Sequence, residues 1–383
     1  MKTNSSSKHI LIQALLAFCL LLSATAVEQT PLRLTLPPTW YGVPGVPMSL
    51  YYDNIVLTET PENYRFEVTC DIGKPEARRW TVIPTDKDVG NHGIAVVVKD
   101  AQGKELQRAK TVLQVVPRIA GANKNLRLMI VGDSLTAATI YPNEIGRLLS
   151  MPGNPKWTML GTHKPASVRP GVVHEGYGGW TWAAFLTRYD AKLGHNLDEK
   201  GKRLSSPFLF PAADGKPALD IPRYFRENCA GQPPDVMTVL LGINDCFGAS
   251  PDNAKLMDTH IAGTLDTAEK FIRAFHTAAP RMIFAIGLTT PPNARESGFE
   301  ANYKGKYHRW GWKRIQHRLV EQMLKRFAGR ERAGIYLVPT ELNLDPADGY
   351  PENNGVHPNA AGYQQIGASF YCWLKWWLQA KQP

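Results

Sequence analysis

Short runs of alternating or β-branched residues occupy the chain from Val27 to about Pro117. They are Leu32 to Leu36, Arg65 to Cys70, Trp80 to Ile83, Ile94 to Lys99 and Lys110 to Val116, punctuated by Pro, Gly and Asp. Alternation with a period of two buries one face of a strand and leaves the other in water, so this stretch predicts a small antiparallel β-sandwich over residues 27–120. No helical period of useful length interrupts it, and Gly121 to Asn125 reads as a short linker.

Beyond Asn125 strands alternate with helical stretches, the pattern of βαβ units and a parallel sheet. Five strands are expected: Leu126 to Val131, Lys156 to Leu160, Asp235 to Leu241, Arg281 to Gly287 and Gly334 to Val338. The first, third and fourth are apolar runs suited to strands covered on both faces. Helices are expected at Tyr141 to Ser150, Lys255 to Ala278, Trp312 to Phe327 and Ala360 to Leu378. Two long insertions, His195 to Pro234 and Pro291 to Gly311, interrupt the rhythm, and long loops in α/β domains tend to cover a site. The second domain is therefore set at residues 124–380.

Hydrophobic residues make up 43% of the 383 and charged residues 20%, enough apolar material for sizeable cores and too little charge for a disordered chain. Lys2 and Lys8 precede an apolar run from Ile10 to Leu22, and Ala24-Thr25-Ala26 supplies small residues for cleavage, so residues 1–26 read as an export signal. The run is shorter than the ~20 residues that span a bilayer, which argues against a retained anchor. The expectation is a secreted or periplasmic protein. Export would place Cys70, Cys229, Cys246 and Cys372 in an oxidising compartment, where three pairings or free buried thiols all remain open. No clustered Cys/His spacing suggests a metal, and no cofactor is expected. The net charge of +10 falls to +8 without Lys2 and Lys8, spread along the chain with no basic tract or nucleic-acid motif.

The candidate chemistry lies where the expected strands end. The first is followed by Gly132-Asp133-Ser134-Leu135, placing a serine hydroxyl at the carboxyl edge of the sheet, where backbone N–H groups can stabilise a developing negative charge. A helix-capping serine is the alternative. A glycine-rich turn, Glu175-Gly176-Tyr177-Gly178-Gly179-Trp180-Thr181, follows the second strand and lets a backbone N–H approach a substrate. The third strand ends in Gly242-Ile243-Asn244-Asp245, which offers a side-chain amide either to an oxyanion or to its own loop. After the fifth strand, Asn354-Gly355-Val356-His357-Pro358 presents a histidine just before the last helix, suited to act as a general base.

Taken in order, these four segments resemble the SGNH or GDSL hydrolase family over about residues 124 to 380. The resemblance implies a flavodoxin-like three-layer α/β/α fold with a parallel five-stranded sheet. It also implies a Ser134 nucleophile, an oxyanion hole of the Ser134 and Gly179 N–H groups with the Asn244 side chain, and His357 as base. The family usually has aspartate three residues before the histidine, and here that residue is Asn354. Asn354 or a backbone carbonyl is the expected orienter of the imidazole; Asp345, Asp348 and Glu352 are the carboxylates the same loop offers, and a Ser-His dyad is the remaining arrangement.

Trp180 and Trp182 follow the oxyanion glycine, and Tyr303, Tyr307, Trp310 and Trp312 interleave with Lys304, Lys306, His308 and Arg309. Aromatic faces beside an exported ester hydrolase suit sugar rings, so Trp180, Trp182 and Trp310 are the expected substrate-binding residues of an esterase that deacetylates poly- or oligosaccharides. Core packing is the competing role for these tryptophans. A lipase or other carboxylester hydrolase, and a non-catalytic glycan-binding protein on the same fold, are the alternative functions. The partner is an ester substrate; neither nucleic acid nor stable membrane insertion is expected, and the oligomeric state is left open.

Overall fold

Strand β10 (Asn125–Gly132) is the pivot of the molecule. In the computed structural model, which describes residues 32–380, it pairs in parallel with β11 (Lys156–Leu160) on one side and β15 (Val236–Leu240) on the other. Strands β16 (Ile283–Gly287) and β17 (Ile335–Val338) continue from β15, also in parallel. All five expected strands are present. Their spatial order, β11-β10-β15-β16-β17, is the flavodoxin-like 2-1-3-4-5 arrangement, in which chain direction across the sheet reverses between β10 and β15. The two-residue β12 (Glu175–Gly176) adds to the end of β10 on the β11 side, through Val131 with Glu175 and Gly132 with Gly176.

Every residue of β15 and β16 is buried, as the unbroken apolar runs of a doubly covered sheet require. The helices follow the expected positions. They are α2 (Ser134–Ala137), α3 (Ile140–Leu149), α4 (Trp182–Thr187), α5 (Ile221–Asn228), α6 (Ile243–Cys246), α7 (Ala254–Ala278), α8 (Glu296–Tyr303), α9 (Arg309–Phe327) and α10 (Ala360–Ala380), after a single turn α1 (Tyr52–Ile55) in the β-rich part. The insertions hold structure of their own: α5 and the hairpin of β13 (Leu209–Pro211) with β14 (Pro217–Leu219) in the first, and α8 in the second.

In the β-rich part, β2 (Thr39–Gly42), β5 (Arg65–Thr69), β8 (Gly90–Lys99) and β9 (Glu105–Val115) form one sheet in the order β2-β9-β8-β5. Strands β3 (Met48–Tyr51), β6 (Lys74–Pro75) and β7 (Arg79–Val82) form a second, and β1 (Arg33–Leu34) pairs with β4 (Val56–Leu57). The ladders are antiparallel except β2 with β9, which runs parallel. No hairpin joins those two strands, so no tight turn forces them to oppose. Residues 33–380 cluster as one compact unit. Within it the β-rich part is tied to the α/β part by polar contacts: Tyr51 N–H donates to Leu342 O (3.2 Å), the buried Lys313 ammonium bonds Asp53, and Arg33 bonds Glu321.

The expected export segment lies outside the described residues. The four described cysteines are free thiols, three of them buried. Among the described residues no helix is long and apolar enough to cross a membrane, and no group of three or more His, Cys, Asp or Glu side chains stands ready for a metal ion.

Candidate active site

The chain leaves β10 through Gly132, where an added Cβ would lie 2.0 Å from Thr136 Oγ1 and 2.8 Å from Leu240 O. Only a residue without a side chain lets the strand turn this tightly into α2. Asp133, 1% exposed, caps that helix by accepting the Leu135 N–H at 3.0 Å, which leaves Ser134 at the first helical position on the carboxyl rim of the sheet. The Ser134 N–H makes no hydrogen bond with any described residue. The rim lies beside the point where strand order reverses, the crevice in which open α/β sheets hold their ligands.

His357 comes from the far end of the sheet, after β17. The loop from Thr340 to Asn359 carries it back, and its Nε2 lies 2.8 Å from Ser134 Oγ across 223 residues of sequence. Its Nδ1 lies 3.1 Å from Asn354 Oδ1, which also accepts the Val356 and His357 N–H groups at 3.1 and 2.9 Å. With the imidazole neutral, Nδ1–H donates to Asn354 and Nε2 accepts from the serine hydroxyl, the polarity a general base needs. Burial lowers the His357 pKa below the ordinary imidazole value, and no carboxylate offsets it. Of the acids the sequence offered from the same loop, Asp345 and Asp348 both accept from the Arg78 guanidinium of the β-rich part, and Glu352 is exposed without a bond to His357.

Asn244 sits in α6, just past β15. Its Nδ2 donates to Asp133 Oδ2 at 3.2 Å and to Trp180 O at 3.1 Å, both at the long end for such bonds. Asp245 Oδ1 accepts the Trp182 N–H at 3.0 Å. The loop after β15 thus grips the glycine turn at two points, and Gly179, at φ +75°, takes the left-handed conformation that the turn closed by Trp180 N to Tyr177 O demands. The exposed Gly179 N–H donates to no described residue. Burial pushes both Asp133 and Asp245 up to about 7.

Ser134, His357, Asn354, Gly179 and Asn244 are thus joined directly or through the turn they share. Trp180 and Trp182 are not available to a ligand: they are 1% and 2% exposed. Trp180 packs on Tyr177 and Phe185, and Trp182 on Phe271, because the turn that presents the Gly179 N–H directs the following rings into the core. Trp312 is equally buried, whereas Trp310 is half-buried at the start of α9 with the Arg314 guanidinium over its ring. The partly exposed aromatic surface near the rim is instead Phe247, Tyr303 and Tyr307, with ring centroids 4.8 to 5.4 Å apart. Phe247 ends the helix that bears Asn244, and Tyr303 touches Phe299, which packs on Gly355 two residues before His357.

Two positioning groups escaped the sequence reading. Asp133 holds the Asn244 amide, and its place inside the Gly-Asp-Ser tripeptide was the available signal. Asn293, fully buried, donates from Nδ2 to Pro351 O and Asn354 O, both at 2.9 Å, and nothing in its own neighbourhood of sequence announced that role.

A strand-to-helix serine, a histidine within hydrogen-bond reach and an amide just past the adjoining strand define an acyl-transfer site on a flavodoxin-like fold. The chain belongs to the GDSL-like lipase/acylhydrolase family, whose model matches residues 130–365. It is accordingly a GDSL-type carboxylic ester hydrolase. No curated protein matches it in sequence. Among solved structures it is similar to a family 3 carbohydrate esterase of Clostridium thermocellum, at 19% identity and a TM-score of 0.42 over 67% of this chain and 98% of that one. It is also similar to a family 3 carbohydrate esterase of Talaromyces cellulolyticus, at 15% and 0.38 over 67% and 100%. A family two carbohydrate esterase of Cellvibrio japonicus, at 12% and 0.36, covers 92% of this chain and 96% of its own.

Proposed function

We propose that the protein is an exported carbohydrate esterase that removes acetyl groups from a poly- or oligosaccharide through a Ser134 acyl-enzyme. The observation that carries the esterase chemistry is the 2.8 Å contact between Ser134 Oγ and His357 Nε2. Ser134 Oγ attacks the ester carbonyl carbon while His357 Nε2 takes its proton. The carbonyl oxygen gathers negative charge opposite the Ser134 and Gly179 N–H groups and Asn244 Nδ2, which gives up one of its two long bonds, to Asp133 or to Trp180 O, in exchange for the oxyanion. His357 then gives the proton to the departing sugar alkoxide, and water, activated by the same imidazole, releases acetate and restores the serine. Asn354 keeps the imidazole in the productive tautomer without adding a negative charge.

The sugar reading is favoured by the half-exposed rings of Phe247, Tyr303 and Tyr307 beside the rim and by the partly exposed Trp310, since flat aromatic faces suit pyranose rings. The apolar run and cleavage pattern of residues 1–26 support export. Acetate release is to be measured across acetylated polysaccharides and long-chain lipid esters with wild type and Ser134→Ala side by side. Release from glycans that is abolished in Ser134→Ala is the expected result; a strong preference for lipid esters would remove the carbohydrate assignment. A serine-reactive phosphonate is expected to label Ser134, and failure to do so would favour a non-catalytic glycan-binding role.

A further inference from the structure

Next to the glycine turn lies a cavity of about 440 Å³, within the ~300 to 1,000 Å³ usual for ligand clefts. Ala137, three residues past the serine, and Gly178, the neighbour of Gly179, line its catalytic side. Its other wall carries Arg188, Lys202 and Arg203. The two arginines are held by the molecule's own packing. The Arg188 guanidinium lies 5.2 Å over the Trp180 ring and that of Arg203 5.6 Å over the Tyr177 ring, so the two buried aromatics of the turn serve as backing for arginines.

Among the described residues Arg188 and Lys202 have no ion-pair partner, and Arg203 interacts only at longer range with the Glu175 carboxyl, whose pKa burial raises. Of the acids near them in sequence, Asp190 Oδ1 accepts the Lys192 and Leu193 N–H groups, Asp198 Oδ1 those of Lys200 and Lys202, and Glu199 is exposed. Beneath the floor, the Glu175 carboxyl is bound by Thr162, Tyr177 and Tyr224. Arg203 donates from Nη1 to His195 O at 3.1 Å, and its Nε is buried without a partner. Two arginines backed by aromatic rings and an exposed lysine line a half-enclosed space beside the N–H groups meant for the reacting carbonyl, and together they make a site for negative charge.

We infer that this cavity is a substrate subsite for an anionic group, a carboxylate or a sulfate, borne by the glycan close to its acetylated position. The inference rests on the esterase reading above and adds the charge class of the substrate. It also explains why the turn spends no solvent-facing aromatic on the sugar: its rings position arginines instead.

The test compares kcat/KM for acetate release from an acetylated xylo-oligosaccharide, an acetylated uronate-bearing oligosaccharide and an acetylated sulfated oligosaccharide, each at low and high salt. Wild type is expected to prefer one anionic ester about 10-fold or more, with the preference in KM and eroded by salt. In Arg203→Gln, and separately in the double variant R188Q/K202Q, the anionic-to-neutral ratio is expected to fall about 10- to 100-fold, the scale of a lost charge-assisted hydrogen bond. Arg203→Lys, which keeps the charge, should retain part of the preference and controls for folding. An absent wild-type preference, or a ratio that the double variant leaves unchanged, overturns the inference; the uronate and sulfate arms decide which anion is taken. Turnover of an aryl acetate, lost in Ser134→Ala, reports on the esterase reading separately. Should that turnover be absent, calorimetric binding of oligogalacturonate, a sulfated oligosaccharide and a neutral xylo-oligosaccharide to the wild-type protein still decides: tighter anion binding upholds the subsite, and equal binding removes it.

Discussion

At the residue scale the site turns on Asn354. Its Oδ1 accepts Nδ1–H of His357 and two backbone N–H groups, so it orients the ring as a carboxylate would but contributes no charge to the imidazolium formed during catalysis. Asn354→Asp keeps every one of those acceptors. It is expected to raise the His357 pKa by about 1 to 3 units, moving the acid limb of the kcat/KM profile to higher pH, and to raise kcat at pH 8; a pH-rate profile checks both. An acid limb that does not move would mean that Asn354 does not face the ring during turnover. Asn244→Ala removes the proposed oxyanion donor and is expected to lower kcat about 100- to 1,000-fold, with KM changed far less, as steady-state kinetics on an aryl acetate will show.

At the scale of elements, the working geometry depends on loops held by residues remote in sequence. The His357 loop is pinned by Asn293, which sits just past β16 and donates to the Pro351 and Asn354 carbonyls. Asn293→Ala leaves both carbonyls without that donor. It is expected to destabilise the fold by about 1 to 3 kcal/mol, measured by urea unfolding, and to lower kcat more than it raises KM, since the His357 ring is displaced while the aromatic surface of Phe247, Tyr303 and Tyr307 stays. Helix α9 illustrates the same dependence. Periodicity places its start at Trp312, yet it begins three residues earlier because the Glu296 carboxylate, from the preceding helix, accepts the Arg309 N–H at 3.0 Å. A cap supplied from thirteen residues upstream leaves no local trace. The central strands, by contrast, were legible almost to the residue, since burial on both faces demands an apolar run that nothing else in a soluble chain requires.

For the whole molecule, the β-rich part braces the catalytic loop. Arg78, just before β7, bonds both Asp345 and Asp348 in the segment that leads to His357, and Asn54 donates to the Glu341 and Leu344 carbonyls at its start. Burial in this region raises Glu341 to about 8, while Asp133 and Asp245 stand at about 7. All three are raised above their unfolded values, so the folded state binds more protons and stability falls as pH rises through the folded pKa. The buried His174 and His317, lowered to about 3, act in the opposite sense, but only below the imidazole value of 6.5; Lys375, at about 8, acts above that pH. The window from pH 6.5 to 8 therefore belongs to the carboxyls. The melting temperature is expected to drop across it, and Glu341→Gln, which fixes the neutral form, to reduce the drop; an equal slope in both proteins would show that Glu341 ionises freely.

By itself the sequence determined the order of strands and helices and the parallel sheet, and it marked Ser134, Gly179, Asn244, Asn354 and His357 as the candidate site, because each stands at a strand end or glycine turn whose backbone demands are local. Tertiary structure alone decided which way the rings of the glycine turn face, how β2 runs beside β9, which acids of the His357 loop are engaged by Arg78, and where Arg188, Lys202 and Arg203 gather. Those outcomes depend on packing between segments distant along the chain, and a residue's type does not record what will lie against it.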